Sequence, residues 1–311
     1  MLPQPPEMAS VVRRVASYNL GGASVKDCRN GSVYTILSKQ GSGVTVGVHS
    51  PLCPDRAVAV VPPLPRPRHV TVARGILSNE EEQGGLLLID VSVAFPSGTT
   101  LTVYMLQGVW HMHASATIQL TTFSRLKAVL VDNKIYLMCS MRHIIVLDLT
   151  TSSISKLQLP RGVDCVSSDI MLSPADDASG VYLIHVELQL RIWLRRRDSW
   201  LLVDTLRFRE MVVNLRMSDC TMDDEHTADV QMSQVGDDAA FVFLKMGRCT
   251  LYLDIKCRTL RKVHEITEQD PLLDEILPFM MIWPPTFPTL KDDFARFAFC
   301  PSHDMYIYCS C

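Results

Sequence analysis

The sequence lacks the roughly 18-residue apolar run that a membrane-spanning helix needs, and the stretch Leu86 to Phe95 is interrupted by Asp90. A soluble protein with no membrane partner is expected. Its first ten residues, MLPQPPEMAS, have no basic region leading into an apolar core, so no secretory signal is expected either. The 10 cysteines are then expected to stay reduced in the cytoplasm and/or nucleus, and the sequon Asn30-Gly31-Ser32 to stay unmodified. Neither sign of charge dominates: 30 Lys+Arg stand against 33 Asp+Glu, a net charge of −3, which provides no broad field for nucleic acid. Missing too are a Gly-rich phosphate loop, a nucleophile elbow, an assembled Ser/His/Asp set and any C-x-x-C pair. No cofactor and no metal are therefore expected, and catalysis is not. What is present is a 47% hydrophobic, 20% charged chain of 311 residues, which excludes wholesale disorder and leaves room for one large domain or two small ones.

Long amphipathic helices are missing, and short runs of Val, Ile, Leu, Tyr and Thr recur between Gly, Asp, Asn, Ser and Pro clusters, as in an all-β protein. The clearest strand is Leu188 to Arg195. Leu188, Leu190, Ile192 and Leu194 alternate there with Gln189, Arg191, Trp193 and Arg195. The polar turn Arg196-Arg197-Asp198-Ser199 and the return strand Trp200 to Val203 complete a β-hairpin with an exposed basic tip.

Internal repetition is the most informative feature. A shift of 46 residues lays Ile135-Tyr136-Leu137-Met138 on Val181-Tyr182-Leu183-Ile184, Ile154 on Trp200 and Leu157 on Val203. A shift of 106 lays the same strand on Phe241-Val242-Phe243-Leu244, Leu147-Asp148-Leu149 on Leu253-Asp254-Ile255, and Ile154 on Leu260. Weaker copies begin at Val33-Tyr34 and near Leu86. With Tyr34, Leu87, Tyr136, Tyr182, Val242 and Tyr306 as first-strand markers, the steps run from 46 to 64 residues. A β-propeller blade repeats at roughly 40 to 50 residues, with longer steps taken up by loops between blades. A β-propeller of about six blades follows, with a β-sandwich as the alternative. Asp148 and Asp254, at strand ends before a Thr/Ser/Lys/Arg turn, read as turn caps rather than catalytic acids. The Pro-rich run Val61 to Pro67 reads as a connector between blades.

Asp27-Cys28-Arg29-Asn30-Gly31, His49-Ser50-Pro51-Leu52-Cys53-Pro54, Val61-Pro62-Pro63-Leu64-Pro65 and Ile145-Val146-Leu147-Asp148-Leu149 resemble the β-propeller that follows the F-box in large families of grass proteins. So do Met281-Ile282-Trp283-Pro284-Pro285-Thr286-Phe287-Pro288 and Asp292 to Pro301 near the end. The resemblance spans residues 21–311 and implies an F-box-associated, kelch-like propeller. It also implies a role: the F-box docks on a Skp-type adaptor of a cullin ubiquitin ligase, and the propeller presents a target protein. Residues 1–20 are expected to form a flexible segment too short for a complete F-box, and 21–311 the interaction domain. Adaptor and cullin are partners only where a docking segment exists; a truncated competitor or a relative without a role is the alternative.

His111 and His113, after Trp110, are placed two apart on a strand, a spacing some metal sites use, with no third ligand in view. A solvent-facing strand or loop is the simpler reading. Cys249 with Cys257, and Cys309 with Cys311, read as bystander thiols. Asp219, Asp223, Asp224, Glu225 and His226 read as a solvated loop rather than a cation or acid–base site. A propeller enzyme of the galactose-oxidase type would need a copper site of Tyr and His that the sequence does not offer. Arg195, Arg196 and Arg197 with Trp193 and Trp200 form the one basic, aromatic cluster, suited to cation–π and bidentate contacts with a protein. Trp110, His111, His113, Trp193, Arg195, Arg196, Arg197 and Trp200 are thus the candidate partner-binding residues, on loops near 108–114 and 195–199, with 218–228 beside them.

Overall fold

Tight turns, several with backbone in the left-handed region, cut this chain into antiparallel strands. Asp132 and Asn133 (φ 48° and 53°) form a two-residue turn of the kind that matches strand twist, and Asx residues tolerate that region best. The computed structural model describes residues 23–29, 32–39, 43–52, 59–61, 70–79, 85–94, 98–107, 109–118, 127–138, 143–163, 170–175, 180–187, 189–196, 198–214, 230–236, 239–265, 276–279 and 307–310. The expected flexible segment 1–20, Arg197 and the acidic run 218–228 lie outside the described residues.

The first sheet contains β1 (Ala23–Arg29), β2 (Ser32–Lys39), β3 (Gly43–His49) and β4 (Ala59–Val61). The second contains β5 (Val70–Asn79), β6 (Gly85–Ala94), β7 (Gly98–Gln107) and β8 (Val109–Ile118), and the third β9 (Lys127–Val131), β10 (Lys134–Met138), β11 (His143–Asp148) and β12 (Ser153–Gln158). The fourth contains β13 (Ile170–Pro174), β14 (Val181–Val186), β15 (Leu190–Arg196) and β16 (Ser199–Leu206). After helix α1 (Phe208–Asn214), the fifth holds β17 (Val230–Val235), β18 (Phe241–Met246), β19 (Cys249–Asp254) and β20 (Thr259–Glu265). A two-stranded sheet pairs β21 (Ile276–Phe279) with β22 (Ile307–Ser310). Spatial order follows chain order in every sheet, so each is an antiparallel meander.

The chain divides into two units: Pro67–Leu272 holds β5 to β20, while Pro3–Arg66 with Leu273–Cys311 holds β1 to β4 and the β21–β22 pair. In the first unit, the leading strands of successive sheets touch: β5 meets β9, β9 meets β13, and β13 meets β17. Sheets meet face to face, and each interior sheet is apolar on both faces. In β11, Ile145 and Leu147 pack toward the second sheet with Leu87, Ile89 and Leu101, while Ile144 and Val146 pack toward the fourth with Leu172 and Leu183. A strand with two packed faces reads as an unbroken apolar run. The fourth and fifth sheets share a further core, with Ile184, Ile192, Val242 and Leu253, that α1 caps through Phe208 and Val212. In the second unit Val25, Cys28, Val33 and Val46 are buried, and the Thr35 hydroxyl lies 2.9 Å from His49 Nε2. Burial holds the His49 imidazole below its ordinary 6.5.

The repeat differs from the sequence expectation in two ways. Tyr34, Leu87, Tyr136, Tyr182 and Val242 lie on the second strand of their sheets, not the first. Each of these five sheets therefore has four strands, one of them ahead of the marker. The marker Tyr306 lies outside the described residues. Finally, the 106-residue shift slips by one in β18: Leu147 pairs Ile135, whereas Leu253 pairs Val242. Packing agrees, because Ile135 and Val242 each face the preceding sheet. Phe241-Val242-Phe243-Leu244 is buried throughout, so hydrophobicity carries no parity there.

The outer hairpins keep the repeat. Asp148 Oδ1 accepts the Thr150 and Thr151 N–H groups at 2.9 Å, and Asp254 Oδ1 accepts Cys257 N–H at 2.7 Å. Ser152 and Arg258, 106 residues apart, both adopt φ 52°. These bonds hold the Asp148 carboxyl below its ordinary 3.8, led by that from Thr151. The turn-cap reading of both aspartates stands. In the outermost strand of three sheets the ladder also slips at the fifth residue, leaving His113 of β8, Val203 of β16 and Val263 of β20 as bulges.

Candidate protein-interaction surface

The period-two reading holds over the described part of β15, with Leu188 outside the described residues: Leu190, Ile192 and Leu194 are buried, Leu190 and Ile192 in the core shared with the fifth sheet. The opposite face is not solvent. Trp193 and Trp200, like Tyr136, Met138, Leu157 and Leu159, pack against the core that the third and fourth sheets share, with Ile144, Val146, Leu172 and Leu183. Trp200 Nε1 donates to the Gln158 carbonyl at 2.8 Å, joining the two sheets. Arg195 lies 5.8 Å from the Trp200 ring centroid and 3.8 Å from Asp198. Burial pushes the Tyr136 hydroxyl up, while the charges of Lys134 and Arg195 pull it down. Much of the aromatic and cationic cluster is therefore a seam between sheets.

Beyond the seam the hairpin is open. Arg196, Asp198 and Ser199 are exposed at its tip, as expected from the polar turn, while Arg197 is outside the described residues. Along β16, Leu201 is 62% exposed, Leu202 43% and Val203 43%. From the sequence this run reads only as a return strand. The missed signal was its parity: three consecutive aliphatic residues on a strand cannot all face one core.

The β8 candidates divide. Trp110 is buried, so its ring is not offered to a partner, a correction to its place among the binding residues. His111 and His113 are exposed, yet the bulge at His113 breaks the two-residue alternation expected to align them. It turns Met112 outward as well, to 66% exposure. No group of three or more His, Cys, Asp or Glu side chains able to hold a metal occurs among the described residues. Cys28 and Cys249 are buried cysteines and Cys257 an exposed one, none of them in a disulfide. The β8 and β15–β16 candidates sit on different sheets, with the third sheet packed between them. They do not form one cluster.

In the first unit four successive four-stranded antiparallel meanders pack face to face, and with the family match they define the class: the fold is a β-propeller. The chain belongs to the family described as F-box protein AT5G49610-like, beta-propeller, whose model matches residues 24–287. Among solved structures it is similar to BamB from Moraxella catarrhalis, at 13% identity and TM-score 0.40, covering 78% of this chain and 61% of that one. It is also similar to a structural genomics protein of unknown function from Bacteroides thetaiotaomicron, at 13% identity and TM-score 0.44, covering 80% of this chain and 61% of that one. The chain thus spans less than two thirds of either solved chain. No curated protein matches it. No helix among the described residues is long and apolar enough to cross a membrane.

Proposed function

We propose that this chain is a protein-recognition propeller, the part of an F-box protein that presents a target to a cullin-type ubiquitin ligase. The observation that carries the reading is the family match over residues 24–287. Repeated sheets support it physically, since a rigid stack can present loops and outer edges without any catalytic group. The chain acts by binding in the cytoplasm or nucleus, with a protein rather than nucleic acid as partner.

Proximity labelling in a plant cell tests target recognition. A set of proteins labelled by the wild type and lost with the triple substitution Arg195→Ala, Arg196→Ala, Arg197→Ala supports it; unchanged labelling removes the arginine cluster from the site. Co-precipitation with a purified Skp-type adaptor tests ligase docking separately, and failure to bind would leave a competitor for targets. Elemental analysis addresses the enzymatic rival: stoichiometric copper or zinc in the purified protein would overturn a purely binding role.

A further inference from the structure

We propose that the outer edge of β16, from Ser199 to Leu202, accepts an extended peptide segment by strand addition, and that the segment carries aliphatic residues flanked by acidic ones. This rests on the recognition reading and gives it a place and a chemistry. β16 is the last strand of its sheet, and no described strand pairs with its far side. Its hairpin closes on the Arg196–Ser199 pair, so ladder alternation turns the N–H and C=O groups of Trp200 and Leu202 away from β15. An incoming strand finds donors and acceptors two residues apart, the pattern used in peptide recognition by β-augmentation.

The side chains beside those groups are apolar and exposed: Leu201 at 62% and Leu202 at 43%. They lie outside the cores that β16 helps to close. Charge selects the occupant. From Leu190 to Leu206 the sequence carries four arginines and two aspartates, a local excess of +2 in a chain of net charge −3. Both aspartates face arginines: Asp198 lies 3.8 Å from Arg195, and Asp204 accepts from Arg258 at 3.0 Å. An acidic segment is attracted and a basic one repelled. The bulge at Val203 bends the edge and limits the regular site to the four residues before it. Among the described residues a second exposed apolar edge, with Val109 at 56% and Met112 at 66%, lies on a strand with no lysine or arginine to choose a partner by charge.

Panning phage-displayed random 12-residue peptides on the full chain, then measuring recovered peptides by fluorescence anisotropy, tests this. Recovered sequences are expected to be enriched in Asp and Glu around alternating aliphatic residues. Leu202→Pro removes an outward N–H where an edge strand tolerates proline, and is expected to weaken binding at least tenfold with unchanged circular dichroism. Arg196→Glu, which leaves the strand intact, is expected to weaken acidic peptides by a similar factor, and Val109→Lys to change nothing. Recovery of no peptide, absence of acidic enrichment, or equal binding by Arg196→Glu overturns the proposal. So does sedimentation of the wild type as a dimer that Leu202→Lys dissolves, because a second copy would then own the edge. Peptides whose binding Val109→Lys abolishes overturn this site while leaving the recognition reading intact.

Discussion

β12 and β16 hold the same place in adjacent sheets, yet present opposite edges. Ile154 of β12 and Trp200 of β16 share a rung, since Ile135–Leu147–Ile154 and Val181–Arg195–Trp200 are paired in the same order. β12 reads Ser-Ile-Ser-Lys-Leu-Gln, with Ile154 and Leu157 half-buried and the polar residues exposed. β16 exposes Leu201, Leu202 and Val203 in succession. A free strand edge invites pairing with other chains, and lysine or a bulge is the usual defence. β12 has Lys156 beside its apolar residues; β16 has only the bulge at Val203, which leaves its first four residues regular. The scaffold is thus shared, and the difference is confined to the solvent edge, where recognition can vary without disturbing a core.

If the scaffold is shared, equivalent core positions must cost alike. Leu147→Ala and Leu253→Ala each remove a fully buried leucine from the same rung, and each is expected to lose about 2 to 5 kcal/mol in chemical denaturation. A loss at only one of them would break the equivalence. Trp200→Phe keeps most of the packing against the third sheet and gives up the bond to Gln158, an expected loss of about 1 kcal/mol by the same measurement. The corresponding change Ile154→Val removes no such bond and sharpens the contrast. At the turn of the β11–β12 hairpin, the Asp148 carboxyl is held below its ordinary 3.8, so its stabilisation is complete above that pH and is lost as pH falls through the lowered value. Asp148→Ala is expected to flatten the acid limb of thermal unfolding between those two values; an unchanged limb would place the effect elsewhere. The smallest effect belongs to the open edge itself: Leu202→Lys is expected to shift stability by less than about 0.5 kcal/mol.

The contrast also explains what the residues disclose. β15 is legible because Leu190, Ile192 and Leu194 alternate with longer polar side chains, even though Trp193 faces another sheet rather than water. Asp148 and Asp254 are legible because a carboxylate before a short polar turn has one simple use. The leading strands are not: in β17, Val230 to Val235, only Met232 is buried, and a ladder slip between Met232 and Gln234 destroys parity. The single-residue slip at Val242 is hidden for the opposite reason, because every neighbour is apolar. Trp110 precedes a bulge at His113 that no local pattern marks, which is why burial of one and exposure of the other emerge only from the fold. On β16 the aliphatic run was visible, but its exposure depends on which strand stands last in the sheet.

Amide hydrogen exchange on the isolated chain, resolved to single residues, tests the open edge most directly. Rapid exchange is expected at Trp200 and Leu202, alongside strong protection at Leu183, Ile184 and Leu147, which are interior to their sheets. Protection at Trp200 and Leu202 equal to that of β14 would mean that the edge is already covered, and would contradict this expectation.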